Sequence, residues 1–179
     1  MTGLNDAIAF DPRGVVETEP LALAARVCGL GGLRLGVLDN TKWNANRLLR
    51  KTVTKLQEEF SLAAVNYYRK ESFSKDADPA LIGAIAANND IVLTAIGDGG
   101  SCTSCCTHDA IRREAVGRPT AIIVTTEFLH EAEVQCQALG MRDLAPVVID
   151  HPLSTLTEAE IAARAEQTAH QCLAVWGGR

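Results

Sequence analysis

The sequence predicts a three-layer αβα sandwich built on a five-stranded, mostly parallel sheet. Short apolar runs of β-type residues alternate with helical patterns along the chain, the signature of strands joined by crossover helices. Those runs are almost continuously apolar instead of alternating, as strands covered on both faces must be. With 179 residues, 47% of them hydrophobic, the chain is the size of one domain around one core.

The first strand is LRLGVLD, residues 33–39. Leu49, Val53, Leu56 and Phe60 then recur at helical spacing in a segment rich in Lys, Arg and Glu, which predicts an amphipathic crossover helix. The second strand is LAAVNYY, residues 62–68, and PALIGAIAAN, residues 79–88, is a short helix with proline in its first turn. IVLTAIGD, residues 91–98, is the third strand. It leads into a loop of glycines and thiols running to Cys106, and a helix over about 104–116 that closes at Gly117. TAIIVTT, residues 120–126, is the fourth strand, and the helix after it, 129–139, closes at Gly140. The fifth strand is APVVID, residues 145–150. Thr157 with Glu160 three positions on forms a capping box for the last helix, which buries Ile161, Ala165, Thr168, Cys172 and Val175 or Trp176.

Five βα units in this order suit a flavodoxin-like sheet, whose ligand crevice lies outside the carboxyl ends of the strands. Function is therefore expected in the βα loops. Residues 1–32 read as an N-terminal arm on a single α/β domain of residues 33–179, packed on its own domain or on a neighbouring subunit.

A net charge of -5 without a basic cluster argues against a nucleic-acid partner or a basic membrane face. No apolar run approaches the roughly 20 residues of a membrane span, and the first thirty residues carry acids where a signal peptide has a basic flank. A cytoplasmic location is the expectation. In a reducing compartment the six cysteines are catalytic, metal-binding or buried, not a disulfide framework. Cys28, Cys136 and Cys172 stand alone in apolar or helical surroundings and read as small core residues. Cys102, Cys105 and Cys106 fall within five positions of one another in the loop after the third strand.

That density of thiols, with Gly99, Gly100, Ser101 and Thr103 around them, points to cysteine chemistry on a small molecule. Glycines let the backbone approach a ligand, and free N–H groups at a helix start favour a thiolate or a bound anion. The enzyme expected is a thiol-based oxidoreductase or lyase, with Cys102 or Cys105 foremost as nucleophile and no cofactor beyond the redox thiols. The alternative makes Cys102, Cys105 and Cys106 ligands to iron, cobalt, zinc or an iron–sulfur cluster. His108 and His151 are candidate acid–base partners. Asp98 is read as orienting the loop. After the first strand, Asn40, Thr41, Lys42, Asn44 and Asn46 gather where a small anionic or amide-bearing substrate could be held.

The segments LGVLDNTKWNANRLLRKT, GDGGSCTS followed by HDAI, RPTAIIVTTEF and DHPLSTLTEAEIAARAE resemble the UGSC-motif family of selenoproteins and their cysteine homologues, over roughly residues 10–170. That family is named for selenocysteine-Gly-Ser-Cys and is similar to the selenoprotein B subunits of glycine and proline reductases. The resemblance implies selenol or thiol redox chemistry, and either a homo-oligomer or a subunit that completes the active site of a reductase-like complex. It places the Gly-Ser-Cys of the motif on Gly100, Ser101 and Cys102, and its selenocysteine on Gly99, a residue with no nucleophile. Cys105 or Cys106 is then the expected partner of Cys102.

Overall fold

The computed structural model describes residues 17–178. Its elements follow the βα order, beginning with β1 (Arg34–Asp39), α1 (Ala45–Glu59), β2 (Ala64–Arg69), α2 (Pro79–Asn88) and β3 (Ile91–Gly97). The chain continues through α3 (Gly100–Ala115), β4 (Thr120–Thr125), a 3-10 turn (Thr126–Phe128), α4 (Leu129–Ala138), β5 (Val147–Ile149) and α5 (Glu158–Gly177). All the strand pairs are parallel, in the order β2-β1-β3-β4-β5. The chain winds outward in both directions from β1 and β3, so the carboxyl ends of these two strands flank the switch point at which open α/β sheets bind ligands.

Side chains of successive strand residues leave opposite faces of the sheet, and two cores result. Leu35 and Val37 of β1, Leu93 of β3 and Ile123 of β4 pack with Leu48, Leu49, Val53 and Leu56 of α1 and with Ile161, Ala165, Cys172 and Trp176 of α5. On the other face Ile122 and Val124 meet Cys106 and Ala110 of α3 and Ala132 and Cys136 of α4, while Leu38 and Val92 meet Ile85 of α2. Helices α1 and α5 thus form one outer layer, and α2, α3 and α4 the other. The capping box of α5 forms as expected: the Thr157 hydroxyl accepts from the Glu160 N–H, and Glu160 accepts from the Thr157 N–H.

The described part of the arm has no regular secondary structure and crosses its own domain. Leu21 N–H donates to Gly140 O, Val27 N–H to Trp176 O, and Ala24 N–H to the Glu114 carboxylate, which Arg26 also grips with two nitrogens at 2.9 Å. Residues 1–16 lie outside the described residues.

Two expectations need correction. Helix α3 begins at Gly100, not near Ser104, so only Asp98 and Gly99 form a loop and the three thiols lie within the first two turns of the helix. The turn starts early because both the N–H and the hydroxyl of Thr103 donate to Gly99 O, closing a helical turn across residues whose glycine content reads as loop. Cys28 is exposed, whereas Cys136 and Cys172 are buried as expected.

Candidate active site

β3 delivers the site. Its last residue, Gly97, lies under α3: a Cβ there would fall 2.7 Å from Thr103 Oγ1 and 3.0 Å from Val124 Cγ1, so only glycine lets the helix start this close to the sheet. Cys102 is the third residue of α3 and is fully buried. Its sulfur accepts the N–H of Asp98 at 3.3 Å, and its thiol donates to Gly99 O at 3.2 Å. No side chain caps α3, so the N–H groups of its first turn have no intrahelical acceptor. They favour negative charge beside Cys102.

Gly99 has φ 172°, extended backbone open to any residue. A Cβ at this position would lie 3.5 Å from Cys102 Sγ and 3.3 Å from Lys42 Nζ. The thiol and the ammonium therefore flank one point, the point at which the resemblance places the motif's selenocysteine. Lys42 comes from the loop after β1, where its N–H donates to Asn40 Oδ1, and its ammonium lies 5.0 Å from the centre of the half-exposed Phe73 ring.

The remaining residues of that loop divide into scaffold and rim. Asn40 is buried, donating to Ile96 O at 3.0 Å and to Cys106 Sγ at 3.2 Å. Thr41 has φ 71°, with its N–H on the Asp39 carboxylate. Asn44 donates to the carbonyls of Leu153 and Ser154, and Asn46 to Asp39 at 3.3 Å. The side-chain amides of Asn44 and Asn46 thus hold protein to protein. Gly100 and Ser101 are exposed at the start of α3.

The three thiols do not form one group. Cys102 and Cys106, four apart on α3, share its inner face. Burial pushes the Cys106 thiol up to about 12. Cys105 is partly exposed, and burial, together with the Asp76 carboxylate beside it, raises its thiol above the ordinary range. Among the described residues no three His, Cys, Asp or Glu side chains gather into a set that could hold a metal ion.

The two histidines separate as well. His108 lies between Gln135, 3.2 Å from Nε2, and Asp76, 3.5 Å from Nδ1, on the face of α3 that carries Cys105. His151, in the loop after β5, reaches the thiol loop: its Nδ1 lies 2.8 Å from Asp98 Oδ1 and 3.0 Å from Thr125 Oγ1. Asp98 carries more of the site than its position at a strand end suggested. Sequence reasoning left Lys70 on the rim after the second strand and Asp109 beside the thiols, and missed that they form a buried ion pair at 2.6 Å that pins the loop after β2 to α3. Lys70 stands in the polar run Arg69-Lys70-Glu71-Ser72, where nothing in the sequence marks it for burial.

No curated protein matches the chain. The sequence model of the UGSC family matches residues 8–178, from the arm through the end of α5 and across every element that carries the site. The chain belongs to the UGSC family.

Proposed function

We propose that this protein is a thiol-dependent enzyme in which Cys102 attacks a small anionic substrate carrying a reducible bond. The observation that carries the reading is the position of the Cys102 sulfur. It lies at an uncapped helix start on the switch point of the sheet, beside the same point in space as the Lys42 ammonium. Helix N–H groups and a lysine hold an anionic group of the substrate next to the sulfur.

In the step proposed, the thiolate attacks the atom X of a substrate R–X. A bond forms between sulfur and X, and R leaves with the electron pair and takes a proton delivered by His151. A second thiolate then attacks the Cys102 sulfur, forms a disulfide and expels X. The sum is R–X plus two thiols giving R–H, X–H and one disulfide. Cys106 is buried with its thiol pushed up to about 12, and Cys105 lies on another face of α3, so the second thiol is supplied from outside the chain, by a dissolved thiol or a partner polypeptide. This requirement favours the companion reading of the protein as one subunit of a reductase-like complex. Because Cys102 is fully buried, side chains around the site give way as substrate enters.

Competitive alkylation tests the reading. Native protein is treated with anionic iodoacetate and neutral iodoacetamide, and the sites are mapped by peptide mass. Exposed Cys28 is the internal standard. Cys102 is expected to prefer iodoacetate relative to Cys28, and Lys42→Ala to remove the preference while leaving iodoacetamide at least as fast. A Cys102 that stays inert to both while Cys28 reacts would remove it as the nucleophile.

A further inference from the structure

Asp98 touches both ends of the chemistry. Its backbone N–H bonds the Cys102 sulfur at 3.3 Å, and its carboxylate, with the side chain only 2% exposed, meets His151 Nδ1 at 2.8 Å. Two further protein groups meet the carboxylate: the Thr125 hydroxyl lies 3.3 Å from Oδ1 and 3.0 Å from His151 Nδ1, and the Leu153 N–H donates to Oδ2 at 3.4 Å. An ionised carboxylate can only accept, so the proton shared with the imidazole resides on Nδ1. The Phe128 ring, tilted 54° with its centre 5.7 Å away, and a bond from the His151 N–H to Thr126 Oγ1 fix the ring and its backbone. Among the described residues nothing bonds Nε2, and the imidazole is 32% exposed.

We propose that Asp98 is the positioning residue of this site, holding His151 as the Nδ1–H tautomer so that Nε2 is the atom that takes and gives the proton. A neutral imidazole has one donor and one acceptor nitrogen, and a partner on one of them decides which the other will be. Here the decision and the placement of the sulfur come from one residue at the end of β3. Any motion of that residue moves the nucleophile and the proton carrier together. The proposal takes the Cys102 reading as given for what the proton serves, but the tautomer stands independently of it.

Long-range proton–nitrogen correlation spectra of ¹⁵N-labelled protein near neutral pH read the tautomer directly. The wild-type spectrum is decisive without any variant: His151 is expected with protonated Nδ1 and unprotonated Nε2. The opposite pattern overturns the proposal. Asp98→Asn, whose amide can donate to Nδ1, is expected to shift the population to the Nε2–H form, and an unchanged tautomer in the folded variant also overturns it. Cys102 alkylation is expected to slow by about tenfold or more in Asp98→Asn and in His151→Gln, and no further in the double variant, as for two residues acting in one unit. Equal rates in wild type and Asp98→Asn, with Cys102 reactive, would refute the positioning role. An inert Cys102 beside the expected tautomer would instead sink the nucleophile reading alone.

Discussion

Replacing Gly99 with cysteine is expected to close a disulfide onto Cys102. The Cβ of the new residue would lie 3.5 Å from Cys102 Sγ, on backbone at φ 172° that a cysteine adopts without strain, and its nearest other neighbour is the mobile end of Lys42 at 3.3 Å. Closing a loop of about four residues lowers the entropy of the unfolded chain by an amount worth about 2 kcal/mol at 25 °C. For a protein of this length that corresponds to a rise of about 4–8 °C in melting temperature. The assay is thermal unfolding of the oxidised and reduced variant, with intact mass and thiol counting to establish the bond. The reduced variant is expected to melt near the wild type, and oxidation to remove the thiols of residues 99 and 102 together. If both thiols persist under an oxidant that links accessible dithiols, the placement of the Cys102 sulfur toward position 99 is wrong. The pairing of the Cys102 sulfur with the Lys42 ammonium at one point falls with it.

Other perturbations test the scaffold. Arg113 is buried with none of its side-chain nitrogens hydrogen-bonded among the described residues, and burial lowers its guanidinium to about 10. Against its ordinary 12.5 that is a penalty of roughly 3 kcal/mol, so Arg113→Met is expected to raise the urea midpoint at pH 7 by up to that equivalent. Lys70→Ala strands the Asp109 carboxylate in the core and is expected to cost about 3–5 kcal/mol by chemical unfolding. The Cys106 thiol is raised when folded, so above the ordinary thiol range the unfolded chain gives up a proton that the folded chain keeps. Stability is expected to fall as pH rises from about 9 to about 12, by about 1.4 kcal/mol per unit from this group, and Cys106→Ala flattens the slope by that amount. Cys106 is also expected to resist alkylation at pH 8 until the protein unfolds.

The strands were legible because a sheet covered on both faces demands unbroken apolar runs, and the boundaries of β1, β3 and β4 fall within a residue of those runs. Capping chemistry made α5 legible in the same way. The start of α3 was not, since Gly99 and Gly100 satisfy a loop pattern equally well, and what decides is a pair of hydrogen bonds from Thr103. Position along the chain located Cys102, Lys42 and His151 at one edge of the sheet, but pairing depends on direction. His108 and Cys105 lie within six positions of Cys102 in sequence, yet the helix turns them toward Asp76. Asn44 and Asn46 read as ligand contacts because they are polar and near the edge, and the same polarity serves to tie the loop after β5 and the end of β1 to α1.

The extended backbone at Gly99 has a consequence at the level of the gene. One base change separates glycine codons from those of cysteine, and one separates a glycine codon from UGA, the selenocysteine signal. At most buried turns such a change would be purged for its effect on folding. At position 99 the backbone accepts all three residues and the space beyond it is bounded by one flexible lysine and a sulfur. A lineage can therefore exchange glycine for a side chain bearing sulfur or selenium at position 99 with Cys102, Asp98 and His151 kept in place. On the reading proposed above, the source of the second thiol can then change before anything in the fold does.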